Sequence, residues 1–129
     1  MTHFQTPAIQ SKRTEVSHKT VAQWKGQRIS AATLILLGIW FLVEMLRYTQ
    51  ADYLLVLAWA SQPWIGMALA LFVGMVFYHS SIGLQVIIED YIPHPFWQKT
   101  FILMVKGVNL GMALLSWLFI IRIVMMGNG

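Results

Sequence analysis

Three long apolar stretches dominate this 129-residue chain. They cover, in chain order, residues 29–46, 64–88 and 101–126. Each reaches the roughly 17–25 residues that a helix needs to cross the hydrocarbon core of a bilayer. Hydrophobic residues make up 57% of the chain and charged residues 11%, whereas soluble domains have roughly 45–50% and about 25%. The sequence therefore predicts an all-α membrane protein with three transmembrane helices.

The positive charge is concentrated before the first apolar stretch. The net charge is +4, and the loop after the first span holds only Arg47 against Asp52. Since basic residues stay on the cytoplasmic side, the pattern predicts a cytoplasmic N-terminus and a periplasmic C-terminus. We interpret the charge as an orientation signal beside the lipid membrane and expect no nucleic-acid partner. The basic residues of this segment are Lys12, Arg13, Lys19, Lys25 and Arg28.

The chain divides into a basic cytoplasmic segment, residues 1–25, and a three-helix anchor domain, residues 26–129. We expect the first dozen residues to be loosely ordered unless a partner binds them, and we expect the first helix to begin near Arg28. The first apolar run is too long for a signal-peptide core, and no transit peptide is evident. A bacterial inner membrane is therefore favoured over a mitochondrial one.

Prolines set the predicted ends of the second and third helices. Pro63 fits the first turn of the second helix, where its missing N–H costs nothing. That helix must end near Tyr91, because Pro93 forces the residue before it out of the helical conformation. Pro95 delays the restart, so the third helix begins near Phe96. The three approximate spans are 28–48, 63–91 and 96–126.

Two further patterns concern the surroundings of the spans. Tyr48, Tyr53 and Trp59 are typical of the aromatic belt at a membrane interface. Gly107 and Gly111 form a GxxxG pattern, which lets another helix approach closely.

His79 lies deep inside the second apolar stretch. An ionisable side chain in hydrocarbon is costly, so it indicates a functional site, here a redox cofactor inside the membrane. At about 100° per residue, His79, Gly83 and Asp90 fall on nearly one helix face, with His79 about 16 Å from Asp90 along the axis. Gly83 removes side-chain bulk where something flat could lie against the backbone.

Two interpretations of His79 remain open from the residues alone. The imidazole could ligate a metal, or it could form a polar seam between helices together with Ser80 and Ser81. With a single histidine at this depth, a six-coordinate haem would need its second ligand from a partner chain. The chain has no cysteine, so any iron–sulfur cluster would also belong to a partner.

The second helix ends on Glu89, Asp90 and Tyr91. These residues could simply cap a span at the interface. Carboxylates at a helix C-terminus, however, oppose the macrodipole, which favours cations there. A phenol can donate a hydrogen bond to a quinone carbonyl, and a nearby carboxylate can help to deliver protons.

The run from His79 through Gly83 to Asp90 and Tyr91 resembles the signature of the succinate dehydrogenase cytochrome b556 hydrophobic membrane anchor, the D-type subunit of respiratory complex II. Residues 24–28, Trp-Lys-Gly-Gln-Arg, resemble the entry of that family into its first helix. The resemblance covers the chain from about Trp24 to its end.

The resemblance implies specific roles. His79 would be an axial ligand of the haem b iron, shared with a histidine of the C-type anchor subunit. Arg28 would lie near a haem propionate, Tyr91 would bind ubiquinone, and Asp90 would support the quinone site. No catalytic residue is implied for this chain alone.

The implied complex is an oxidoreductase of the respiratory chain and the tricarboxylic acid cycle. A flavoprotein subunit would oxidise succinate, an iron–sulfur subunit would carry the electrons, and ubiquinone would be reduced beside the two anchors. Two alternatives remain: a fumarate reductase-type anchor, and a non-catalytic structural or assembly membrane protein.

Overall fold

The computed structural model describes residues 6–129 as four helices joined by short turns. The helices are α1 (Pro7–Arg47), α2 (Tyr53–Ala60), α3 (Pro63–Tyr91) and α4 (Pro95–Gly127). α1, α3 and α4 are each long and apolar enough to cross a membrane, and these residues contain no strand. The predicted all-α class with three candidate transmembrane helices is confirmed.

α1 begins much earlier than the sequence predicts. It starts at Pro7 rather than near Arg28 and runs for 41 residues without a break. At 1.5 Å per residue that is about 60 Å, roughly twice the thickness of a hydrocarbon core. The expectation of loosely ordered chain in the first dozen residues is therefore wrong from Pro7 onward, and residues 1–5 lie outside the described part.

The ends of α3 and α4 follow the prolines. Pro63 is the first residue of α3 and Pro95 the first of α4. Ile92 has φ −107° and ψ 100°, an extended conformation of the kind that a following proline requires. α3 therefore ends at Tyr91, as predicted, and α4 begins one residue before the predicted start.

The loop between α1 and α3 contains α2, an element that the sequence analysis did not predict. The Asp52 carboxylate caps this helix by accepting a hydrogen bond from the backbone N–H of Leu55 at 2.8 Å. Trp59 is only 5% exposed, and its indole N–H donates to Glu44 Oε2 at 3.1 Å. Trp59 is thus packed inside the protein rather than displayed in an interfacial belt. Arg47 bonds the other oxygen of the Glu44 carboxylate at 3.0 Å.

α3 is the central helix, and α4 packs closely along it. The Trp117 indole N–H donates to the backbone carbonyl of Ala70 at 2.9 Å. A Cβ atom added at Gly74 would approach the Trp117 ring at 3.0 Å, so the glycine is what admits the indole. Small residues that allow close approach are the usual basis of helix packing in membranes.

α1 packs on a different face of α3 from the face that α4 contacts. A Cβ atom at Gly26 would lie 2.8 Å from the Tyr78 hydroxyl. Farther along, the rings of Phe41 and Phe72 stack with centroids 5.2 Å apart. These contacts fix the register of α1 along α3.

A cavity of about 740 Å³ lies between α1 and α4, where both rest on α3. Its wall on α3 includes Phe77, Ser81 and Gln85. At 100° per residue, Phe77 and Ser81 lie about 160° around α3 from His79. The cavity includes none of the predicted site residues.

The buried contact between Trp59 and Glu44 gives a first prediction. Trp59→Phe keeps an aromatic ring but leaves a buried carboxylate oxygen without its donor, which costs about 1–3 kcal/mol. We expect a lower thermal midpoint for the purified membrane protein, measured by its loss of helical circular dichroism in detergent. The control is Trp64→Phe, since Trp64 is 57% exposed. Equal midpoints for the two variants would contradict the prediction.

Candidate functional site

His79 lies on α3 with its imidazole partly buried. Its Nδ1 atom is 2.8 Å from the hydroxyl oxygen of Ser30 on α1. Ser30 is 1% exposed, and its hydroxyl is also 3.1 Å from the backbone carbonyl oxygen of Gln27. The imidazole is therefore tied to the neighbouring helix through one nitrogen.

The polar partner of His79 differs from the one that the sequence suggested. Within residues 6–129, neither Ser80 nor Ser81 makes a side-chain hydrogen bond, and the bond to His79 comes from Ser30. Sequence reasoning missed Ser30 because a single serine near the start of an apolar stretch usually bonds its own backbone. Only the packing of α1 on α3 brings it to the histidine.

The face of α3 beside His79 is open. A Cβ atom added at Gly83, one turn after His79, would meet nothing within 4 Å. Gly107 and Gly111 of α4 likewise meet nothing within 4 Å. The GxxxG pattern therefore makes no helix contact within the described chain, and both surfaces are available to something outside it.

Asp90 and Tyr91 lie at the end of α3, away from His79. Tyr91 is 81% exposed, and Asp90 is exposed as well. Neither side chain makes a hydrogen bond with another described residue. The neighbouring Glu89 accepts a hydrogen bond from Gln85 Nε2 at 2.7 Å. The structure thus brings Asp90 and Tyr91 together at one end of the helix and keeps them separate from His79.

Arg28 lies on α1, two residues before Ser30. Its guanidinium carbon is 5.1 Å from the centroid of the Trp24 ring, a cation–π contact on an exposed surface. Within residues 6–129 the ion pairs are Lys19–Glu15 and Arg47–Glu44, so Arg28 has no carboxylate partner there. Its charge is available to an anion from outside the described chain.

The donor set around His79 is small. Residues 6–129 contain no group of three or more His, Cys, Asp or Glu side chains that could hold a metal ion. One imidazole nitrogen beside an open helix face suits a planar, already ligated metal such as a haem, which needs only axial ligands from protein. A bare metal ion would not be held here by this chain alone.

Comparison with known proteins shows which protein family this chain resembles. The family model described as succinate dehydrogenase/fumarate reductase transmembrane subunit matches residues 5–124. The chain is 30% identical over 103 residues to the succinate dehydrogenase hydrophobic membrane anchor subunit of Rickettsia bellii, covering 80% of this chain and 82% of that protein. The subunits of the same name from Rickettsia typhi and Rickettsia prowazekii are 29% and 28% identical, with the same coverage. No solved structure matches the chain significantly.

The open face at Gly83 gives a second prediction. Gly83→Leu fills space that no atom of this chain occupies, so we expect the packing of α1, α3 and α4 to persist. If a haem lies against this face, the assembled protein should nevertheless lose most of it, measured as the ratio of haem absorbance to protein. Gly38→Leu is the matched control, because Gly38 also has nothing within 4 Å but lies on α1. Equal haem-to-protein ratios in the two variants would contradict a haem-binding role for the surface at Gly83.

Proposed function

Because the chain belongs to the succinate dehydrogenase/fumarate reductase transmembrane subunit family, we propose that it is the D-type anchor of a succinate:ubiquinone oxidoreductase. It would span a bacterial inner membrane with its N-terminus in the cytoplasm. Its partners would be a C-type cytochrome b anchor, an iron–sulfur subunit and a flavoprotein subunit. The three relatives are all named for succinate dehydrogenase, which favours this assignment over a fumarate reductase anchor.

One observation carries the proposal of a cofactor: a partly buried imidazole next to a helix face that this chain leaves open. His79 uses Nδ1 for Ser30 at 2.8 Å, and Gly83 has no neighbour within 4 Å. We assign His79 as one axial ligand of the iron of haem b. A second histidine ligand would have to come from the C-type anchor, since this chain offers no other at that depth.

Haem b, when bound, supplies a one-electron redox centre inside the membrane. This chain contributes ligation through His79, a flat surface at Gly83 and a cation at Arg28. Arg28 lacks an anionic partner among the described residues and is held against Trp24. A guanidinium without an anionic partner can form a charge-assisted hydrogen bond with a haem propionate.

Tyr91 and Asp90 are assigned to the ubiquinone site. The electrons come from succinate oxidised in the flavoprotein and reach the quinone through the iron–sulfur subunit. Quinone reduction to quinol takes up two electrons and two protons. The Tyr91 hydroxyl donates a hydrogen bond to a quinone carbonyl oxygen and orients the ring, while Asp90 helps to bring protons from the aqueous side. The exposure of both residues, with Tyr91 at 81%, leaves their polar atoms available for this purpose.

The haem assignment predicts the effect of removing the imidazole. His79→Ala deletes a protein ligand of the iron, so the purified complex should lose its low-spin b-type absorbance. His94→Ala is the control, because His94 lies in the exposed turn before α4. A wild-type haem spectrum in His79→Ala would favour the structural or assembly protein, in which His79 and Ser30 only hold α1 against α3.

The quinone assignment predicts that removing the Tyr91 hydroxyl affects quinone reduction and leaves the haem unchanged. Tyr91→Phe removes one hydrogen bond, worth about 0.5–1.5 kcal/mol, so quinone reduction should fall by roughly 2- to 10-fold. Succinate oxidation by an artificial acceptor and the haem spectrum should stay at wild-type levels.

Tyr53→Phe is the matched control for this measurement, because Tyr53 is 75% exposed and lies in α2 rather than at the end of α3. Loss of haem with full quinone activity in Tyr91→Phe would reverse the roles of His79 and Tyr91.

A further inference from the structure

The Ser30 hydroxyl lies between two polar atoms. Its oxygen is 2.8 Å from His79 Nδ1 and 3.1 Å from the Gln27 carbonyl oxygen. A hydroxyl has one proton to donate and lone pairs to accept with. A carbonyl oxygen can only accept, so the Ser30 proton is directed to Gln27 whenever Nδ1 carries a proton of its own. The serine oxygen then accepts a proton from the imidazole.

We propose that Ser30 is a positioning residue that holds His79 as the Nδ1–H tautomer, leaving the Nε2 lone pair to ligate iron. This inference rests on the proposed function, in which His79 binds haem b. It adds a residue and a tautomer that the family assignment does not supply. The role of Ser30 is exerted through His79, and Ser30 itself does not touch the cofactor.

The opposite tautomer is disfavoured by the surroundings. If Ser30 donated to Nδ1, the imidazole proton would be on Nε2, and no described residue accepts a hydrogen bond from that atom. An N–H group without a partner in a low-dielectric site is unfavourable, because its desolvation is not compensated. A bare Nε2 lone pair, by contrast, finds its partner when the metal binds.

The backbone around Ser30 holds this geometry. Gly26, one turn earlier on α1, lets the helix approach α3 so closely that an added Cβ atom would lie 2.8 Å from the Tyr78 hydroxyl. Tyr78 directly precedes His79. Ser30 is 1% exposed, so competing hydrogen-bond partners are kept away from its hydroxyl.

A hydrogen bond on the distal nitrogen of a ligating imidazole fixes the ring plane and raises the basicity of the ligand. A more basic ligand stabilises ferric iron relative to ferrous iron. Loss of the Ser30 hydroxyl should therefore shift the midpoint potential of the haem to more positive values. It should also weaken iron binding by roughly 10- to 100-fold, the usual effect of removing such a partner.

The test compares Ser30→Ala with Thr33→Val in the complete purified complex. Thr33 lies on the same helix and bonds only the Ile29 carbonyl, at 2.9 Å, so its loss controls for removing a hydroxyl from α1. The readouts are a redox titration of the haem, the g values of the ferric haem by electron paramagnetic resonance, and the haem-to-protein ratio. Succinate oxidation with an artificial acceptor checks that the soluble partners are intact.

We expect Ser30→Ala to raise the potential, change the g values and lower the haem ratio, while Thr33→Val matches the wild type. If Ser30→Ala does not assemble, Ser30→Cys takes its place, because a thiol keeps the volume and weakens the hydrogen bond. Wild-type potential and g values in the serine variant would overturn the inference. If His79→Ala also keeps its haem, the proposed ligand is wrong; if His79→Ala loses it, only the role of Ser30 fails.

Discussion

Hydrocarbon offers no hydrogen-bond partners, and this constraint governs where the polar side chains of the long helices lie. Ser30, 1% exposed, bonds His79 and joins α1 to α3. The Trp117 indole bonds the backbone of α3 and joins α4 to it. Near the C-terminal end of α1, the buried carboxylate of Glu44 accepts a hydrogen bond from the Trp59 indole N–H and joins α1 to α2. Each of these three bonds crosses a helix boundary, so they also fix how the helices lie together.

Apolar burial contributes less to this arrangement than it would in water. Within residues 6–129, the buried apolar side chains are Trp59, Ile65 and Ala113, because lipid tails are as apolar as the helix surfaces. In place of a large apolar core, α3 and α4 are held together by the close approach of Trp117 to the backbone at Gly74. α1 and α4 both rest on α3, and the face at Gly83 remains uncovered. A helix surface left open beside a partly buried histidine is what an anchor needs if its site is completed by another chain.

The sequence predicted what hydropathy and proline control, and missed what depends on packing. Pro63 and Pro93 defined α3 correctly, because proline constrains the backbone locally. The start of α1 at Pro7 was missed because its first four turns or so are polar and carry no hydropathy signal. α2 was missed because eight residues are too few to show a membrane pattern. His79 stood out by its chemistry, whereas Ser30 became identifiable only once α1 lay beside α3.

α3 presents two environments at two depths. His79 is partly buried and hydrogen-bonded within the protein, and Tyr91 is 81% exposed about 18 Å farther along the helix axis, at 1.5 Å per residue. If His79 ligates a haem, exclusion of water keeps competing hydrogen-bond partners away from the imidazole that Ser30 contacts. A quinone that takes up protons needs the opposite, a polar end within reach of water. Since one rigid helix carries both groups, their separation is fixed by the number of residues between them.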